Sequence, residues 1–325
     1  MQKQLKIVLF FLTVVLFSCQ TEKKKEEYTK LQGNVFGTTY NIIYKSTVNY
    51  QAPIDEIFEA FNNSLSTYIP NSIISKVNQN DSTVVVDDYF VEAFHKAKRI
   101  YKETDGYFDP TIGKLINAYG FGSGKEKKNL TAEEIEVLMN ITGFEKIKLK
   151  DRKIIKQPEI EFNVNAFAKG SGIDVVGRFL EGKNITDYLV EIGGEIRARG
   201  NSPRNSLWKV AIDDPNTDGS RSQSRTIELD NQSMATSGNY RKFKVNSKGE
   251  KIVHTVNPKT GLAQENNLLS ASVLLKGDCA DVDAYATAFM AMGLEKTKNF
   301  LESHPELKVV LLFTNTEGEI KEFSN

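Results

Sequence analysis

LLSASVLLKGDCADVDAYATAFMAM, residues 268–292, sets two periodicities back to back. Residues 269–275 are an apolar run of strand length, closed by Gly277, and residues 281–292 recur at helical spacing. A second helix over 295–302 and a strand over 308–313 follow. Upstream, strands are expected at 188–192, 207–212 and 226–229, and one over 35–44. The first half is richer in helices. Ile54, Ile57, Phe58, Phe61 and Leu65 share one helical face behind Pro53. A helix over 88–103 buries Val91, Phe94, Ala97, Ile100 and Tyr101. Thr131 and Glu134 form a capping-box pattern ahead of Ile135, and residues 168–180 make another helix. Helices and strands mix without regular βαβ alternation, so the expected class is α+β rather than a doubly wound sheet. No internal repeat or linker divides the body. It reads as one unit of mixed sheets and helices, with room for two lobes.

The chain has 325 residues, 40% of them hydrophobic and 26% charged, with a formal net charge of zero. These are the proportions of a globular protein. The first thirty residues hold six Lys and three Glu, so the remainder is slightly acidic. A nucleic-acid surface would be basic, and that class is set aside. Lys3 and Lys6 precede an apolar run over 7–17, the length of a signal h-region and short for a membrane span. It ends in Leu16-Phe17-Ser18-Cys19. Residues 1–18 resemble a bacterial lipoprotein signal peptide, with Cys19 as the lipidated N-terminus, 19–30 as a charged tether, and 31–325 as the functional body. This predicts a cell-envelope protein, lipid-anchored to a membrane and facing the periplasm or the exterior. Gln20 in place of aspartate favours the outer membrane. Cys279 is the one remaining cysteine and reads as a buried structural residue.

Several short stretches carry chemistry. In HTVNPKTG, residues 254–261, one of three histidines sits beside a rigid Pro-Gly turn. His254 is either a satisfied polar residue or a general base or phosphate ligand. ATSGNY, 235–240, reads as a second small-residue turn with hydroxyls. Asp283 and Thr287 lie at i and i+4 on a helix, so their side chains share a face. Either they are hard ligands for magnesium, or they are a helix-dipole carboxylate and a hydroxyl bonded back to its own helix. FNVNAFAKGSGID, 162–174, reads as a strand, a tight passage and a helix opening near Lys169-Gly170, an arrangement that favours an anion. LVEIGGEI, 189–196, is a hairpin with a Gly193-Gly194 turn or a close backbone approach to a ligand. DGYFDPTIG, 105–113, makes a rigid loop around Asp109-Pro110. In LSTYIPNSIISKVN, 65–78, Tyr68 either covers core or stacks on a planar ring.

Taken in order, FGTTY (36–40), LSTYIPNSIISKVN, GYFDPTIG, NAFAKGSGID, EIGGEI, ATSGNYR, HTVNPKTG and DVDAYATA (281–288) resemble the ApbE family of FAD:protein FMN transferases. The resemblance spans nearly the whole body and implies an α+β catalytic unit with the FAD site in the cleft between two lobes. It implies transfer of FMN from FAD, the substrate, to a Ser or Thr hydroxyl of a partner protein, with Mg2+ as cofactor and AMP as leaving group. The acceptor would be a membrane redox subunit or an extracytoplasmic flavoprotein carrying a Ser/Thr acceptor motif. Carried over residue by residue, the metal ligands are Asp283, Thr287 and the backbone carbonyl of Ala168. Tyr68 stacks on the isoalloxazine. Asp109, Lys169, Gly193, Gly194, Ser237 and the turn with Pro258, Thr260 and Gly261 lie around FAD. His254 matches the family histidine proposed as base, and Asp283 is the second catalytic candidate. The chain departs from the family at Phe36, at Asn163, Asn165 and Ala166, and at Glu191 and Glu195; Asp283 and Thr287 are intact. Two alternatives use the same residues: a magnesium-dependent FAD pyrophosphatase giving FMN and AMP, and a flavin-binding lipoprotein without turnover.

Overall fold

The computed structural model describes residues 27–122, 130–213, 223–239, 243–245, 251–263 and 266–325. The signal segment, Cys19 and most of the tether lie outside the described residues. Thr29 and Lys30, assigned above to the tether, are instead the first residues of a strand.

Fourteen strands and eight α-helices are present among the described residues. In chain order they are β1 (Thr29–Val35), β2 (Thr38–Tyr44), α1 (Gln51–Leu65), α2 (Ile73–Asn78), α3 (Asp88–Glu103), α4 (Gly113–Ala118), α5 (Ala132–Asn140), β3 (Lys148–Lys150) and β4 (Lys153–Ile155). Then come α6 (Ala168–Gly182), β5 (Tyr188–Ile192), β6 (Glu195–Arg199), β7 (Trp208–Asp213), β8 (Gln223–Leu229), β9 (Ser233–Gly238), β10 (Phe243–Val245) and β11 (Lys251–Val253). The chain closes with β12 (Leu268–Leu275), α7 (Cys279–Met292), α8 (Leu294–Glu302), β13 (Lys308–Thr314) and β14 (Ile320–Ser324).

Eight strands form one antiparallel sheet in the order β1-β2-β5-β6-β9-β12-β13-β14. The α+β expectation therefore holds. Strand side chains alternate between the two faces of a sheet, and here each face has its own cover. Tyr188, Val190, Ile192, Ala271 and Val273 join the large core shared with the helices. Leu189, Ile196, Met234 and Leu274 face the other way and pack on Trp208, Ile212 and Leu229 of the β7–β8 hairpin. A third, smaller cluster of Ile112, Leu115, Val256 and Ala263 joins α4 to the segment after β11, with Leu138 and Met139 of α5 against it. These residues form a small cap beside the main body.

α7 is buried on nearly every side, and five of its fourteen residues are alanine. A helix apolar all round belongs inside a core. Its small side chains let it lie close against α6. A Cβ at Gly170 would sit 2.6 Å from the Cys279 carbonyl oxygen, so only glycine fits there. The start of α7 is held by charge. Asp174 of α6, fully buried, accepts the Cys279 and Ala280 N–H groups at 2.8 and 2.9 Å. Arg197 of β6 bonds both Asp174 and Asp278 at 2.8 Å. Lys96 of α3 reaches Asp278 at 2.7 Å and Asp281 at 3.2 Å. These contacts fix the helix that carries Asp283 and Thr287.

The structure corrects several expectations. The strand over 35–44 is a hairpin of two strands, turning at Phe36-Gly37. Residues 162–164 form no strand; the Asn78 side chain accepts from the Phe162 N–H and donates to its carbonyl, each at 2.9 Å, and so supplies the bonds a neighbouring strand would have made. Most of ATSGNY is not a turn. Residues 235–238 complete β9, paired along its length with β12, and residue 240 lies outside the described residues.

Candidate active site

A cleft of about 460 Å³ opens between the edge of the main body and the cap. That volume is within the range of small-molecule sites. Each wall comes from a different element. α7 supplies Asp283 and Thr287, and the start of α6 supplies Lys169. β9 supplies Thr236 and Ser237, the segment after β11 supplies His254 and Pro258, and the turn after α1 supplies Tyr68.

The polar floor is compact. Asp283 is 3% exposed and accepts the Gly170 N–H at 3.1 Å. Burial pushes its carboxyl up, while Lys169 and the Gly170 N–H work the other way. Lys169 pairs with Glu195 at 3.2 Å. Burial would lower the Lys169 pKa, but Asp283 and Glu195 outweigh it, so the ammonium stays charged. Glu195 is 5% exposed, and its second carboxylate oxygen, Oε2, is buried without a hydrogen-bond partner. Burial and the nearby Asp283 push this carboxyl up against the pull of Lys169. A buried acceptor left unsatisfied is costly and calls for a reason.

Thr287 shows which carbonyl joins this corner. Its hydroxyl lies 3.4 Å from the Ala166 carbonyl oxygen and 3.4 Å from the Ser237 hydroxyl. Ala166 lines the cleft. Ala168 does not. It is the first residue of α6, where a carbonyl is directed along the helix axis towards the N–H four residues on. The carbonyl beside Thr287 in the cleft is that of Ala166, two residues earlier in the tight passage. Asp283, Thr287 and Ala166 offer one carboxylate, one hydroxyl and one carbonyl. This all-oxygen set suits a hard divalent cation such as magnesium.

Tyr68 is 65% exposed and borders the cleft, as a side chain waiting for a planar partner would. If the cleft takes FAD as the resemblance implies, Tyr68→Ala is expected to weaken its binding by roughly threefold to tenfold, the scale of one aromatic stacking contact, measured by flavin fluorescence quenching. His254 is half-buried on the cleft wall, its ring 6.4 Å from that of Phe121 at 67°.

Other expected ligand contacts fall elsewhere. Thr260 and Gly261 do not line the cleft. Gly261 packs on Ile135 and Met139 of α5, and its carbonyl accepts from the Tyr119 hydroxyl at 2.9 Å. The Asn257 carbonyl accepts the Gly261 N–H at 2.8 Å, closing a turn that fixes His254 and Pro258. Asp109 lines the cleft, but its Oδ1 is taken by the N–H and hydroxyl of Thr111 at 2.8 and 2.6 Å. Its visible task is to shape the loop. Gly193 and Gly194 are the hairpin turn between β5 and β6, with φ of 62° and 104°. They border a second cavity rather than the first. Among the departures, Phe36 packs on Phe58 and Phe61, and Glu191 accepts from the Gly194 N–H at 2.7 Å; both are structural. Asn163, Asn165, Ala166 and Glu195 line the cleft itself. Thr236 also lines it, from within the ATSGNY stretch, where only Ser237 was singled out; Asn117 and Phe121 line it too and stand in no stretch with a chemical signature.

Comparison with known proteins agrees with this geometry. The ApbE family model matches residues 36–311. The FAD:protein FMN transferase of Vibrio cholerae is 33% identical over 322 residues, covering 96% of this chain and 94% of the relative. The protein of the same name from Haemophilus influenzae is 31% identical over 335 residues, covering 98% and 95%. The solved flavin transferase ApbE from Vibrio cholerae superposes with a TM-score of 0.82 at 33% identity, over 92% of this chain and 97% of that one. The apo flavinyl transferase ApbE of Pseudomonas stutzeri gives 0.81 at 26% identity, over 92% and 95%. With a cleft that joins an oxygen-donor corner, a buried lysine and an exposed tyrosine, on a fold shared over 92% of its length with flavin transferases and a family model matching residues 36–311, this chain is a member of the ApbE family.

Proposed function

We propose that this protein transfers FMN from FAD to a Ser or Thr hydroxyl of a partner protein, releasing AMP. The observation that carries the reading is the meeting of Asp283, Thr287 and the Ala166 carbonyl beside Lys169 in one cleft, with Tyr68 at its rim. The relatives bear the name of this reaction.

Asp283, Thr287 and Ala166 would hold Mg2+. When bound, the ion supplies charge neutralisation on the pyrophosphate oxygens. Lys169 adds a fixed positive charge for the same phosphates. Tyr68 stacks on the isoalloxazine and keeps the FMN half in place. The acceptor hydroxyl oxygen forms a bond to the FMN phosphorus. The P–O bond to the AMP phosphate breaks, and AMP leaves with the electron pair. A His254 ring nitrogen takes the hydroxyl proton. His254→Ala is expected to slow transfer by about a hundredfold or more with FAD affinity preserved. A full transfer rate in that variant would remove His254 from the mechanism.

From the sequence alone we further propose that residues 1–18 are removed, that Cys19 carries lipid, and that the enzyme works at the cell envelope, facing the periplasm or the exterior. The acceptor is then a membrane redox subunit or an extracytoplasmic flavoprotein. A Cys19→Ala variant should move from the membrane to the soluble fraction; retention in the membrane would count against lipid anchoring. The functional reading is tested by incubating the full chain with FAD, magnesium and a candidate acceptor domain. Transfer adds FMN to the acceptor. Release of FMN and AMP without labelling would make the protein a pyrophosphatase, and FAD left intact would make it a binding protein.

A further inference from the structure

The second cavity, about 350 Å³, lies between the Gly193-Gly194 turn, the sheet and the β7–β8 hairpin. It is lined by Ile196, Val210, Ile212 and Met234, and it shares Glu195, Thr236 and Gly238 with the catalytic cleft. The two spaces therefore meet at those three residues. Nothing in the transfer chemistry above uses this second space.

The sheet is incomplete beside it. β9 pairs with β12 from Ser233 to Gly238, but with β6 only at Ile196↔Met234 and Arg197↔Ser233. Continued, that register would set Glu195 opposite Ala235 and Gly194 opposite Thr236. The chain instead turns away at Gly193-Gly194 into β5. Residues 235–238 are thus left without a strand on their β6 side among the described residues. An open strand edge offers unpaired N–H and C=O groups, and an extended peptide can complete it, with neighbouring apolar pockets choosing its side chains. Four residues of strand span about 13 Å, a short stretch of peptide. Glu195, whose buried Oε2 has no hydrogen-bond partner, lines both cavities where this edge meets the catalytic cleft. That oxygen is an acceptor lacking a donor, and a Ser or Thr hydroxyl is a donor.

We propose that the acceptor protein presents its Ser/Thr segment as an added strand along residues 235–238 of β9, with apolar side chains in the second cavity and its hydroxyl bonded to Glu195 Oε2. The proposal rests on the transferase reading. The segment continues the line of β6 beyond its turn, so each residue added moves the chain from the apolar cavity towards the phosphates. Glu195 then orients the hydroxyl, and its pairing with Lys169 keeps that carboxylate close to the phosphate site.

The test uses the full chain in detergent with FAD, magnesium and a flavin-free extracytoplasmic domain carrying the Ser/Thr acceptor segment. Val210 lines the second cavity from β7, on the same face as Trp208 and Ile212, and is absent from the FAD cleft. Val210→Trp should raise the KM for the acceptor at least tenfold while FAD affinity stays unchanged. Hydrogen exchange on the wild-type protein supplies a readout independent of that variant: saturating acceptor should slow exchange at the amides of Thr236 and Gly238, the two of this stretch that face away from β12. An unchanged KM in a folded Val210→Trp protein, or unprotected amides at Thr236 and Gly238 while transfer proceeds, would overturn the docking proposal and leave the transferase reading standing. Absence of transfer by the wild type would remove both.

Discussion

Asp283→Asn is expected to reduce FMN transfer by about a thousandfold while leaving the protein folded. The substitution keeps an amide oxygen that can accept the Gly170 N–H and removes only the charge. That charge is the one carboxylate among the oxygen donors proposed to hold magnesium. Several kcal/mol of charge stabilisation at the phosphoryl group corresponds to about three orders of magnitude in rate. Two measurements separate the metal role from a structural one. Magnesium should raise the Tm of the FAD-bound wild type and leave that of the variant unchanged. The Tm of the two proteins without magnesium should agree within a few degrees. A variant that transfers FMN at the wild-type rate would show that the pyrophosphate is activated elsewhere.

Arg197→Ala is expected to cost about 3–5 kcal/mol of stability, the penalty for removing one partner from a buried ionic cluster. Arg197 is 5% exposed and is the cation that joins Asp174 to Asp278. Without it, Asp174 keeps only the Cys279 and Ala280 N–H groups at this end of α7 and loses its closest positive charge. The pH dependence has two opposite parts. Burial would raise the Asp278 carboxyl, but Lys96 and Arg197 outweigh it and hold it at about 2, below the usual 3.8. Its stabilising share is present above pH 4 and is lost as pH falls through about 2. Burial, helped by Asp278, pushes Asp174 up to about 6. Its share is complete below about pH 4 and is lost as pH rises through about 6. Removing Arg197 strips the counter-charge from both carboxylates, so the loss of stability should deepen between pH 5 and 8. Chemical denaturation across that range measures it. A variant within 1 kcal/mol of wild type at pH 7 would mean that Lys96 alone holds the cluster.

The elements legible in the sequence were those whose local signals agree with their surroundings. The helix over 88–103 was read at its observed bounds, because its apolar face is complete and Asp87 caps it through the Phe90 N–H. The capping box at Thr131 and Glu134 is present as read. α7 and β12 were found within two residues, since long apolar runs leave little choice. β9 was missed because Ser, Ala, Thr and Gly look like turn residues. They form a strand here because α7 packs against β9 and only small side chains fit beneath that helix. The strand expected at the start of 162–174 is absent for the reverse reason: a single side chain, Asn78, satisfies the Phe162 backbone.

The site was legible by residue type and less so by contact. Asp283, Thr287, Lys169, Tyr68, Ser237, His254 and Pro258 converge as the motifs implied. Spacing cannot tell which residue of a bent passage borders a cleft: Ala166 lines it and Ala168 does not. The same limit applies to Thr260 and Gly261, whose turn shapes the wall without forming it. The unpaired oxygen of Glu195 is invisible in sequence, because it depends on what the fold places around that side chain.

The most direct measurement is the intact mass of an acceptor domain after incubation with the full chain, FAD and magnesium, beside the same reaction with Asp283→Asn. The account predicts an FMN-sized gain on one Ser or Thr of the acceptor, stoichiometric release of AMP, and neither product with the variant. FMN and AMP appearing in solution with an unmodified acceptor would contradict it, as would FAD that remains bound and intact.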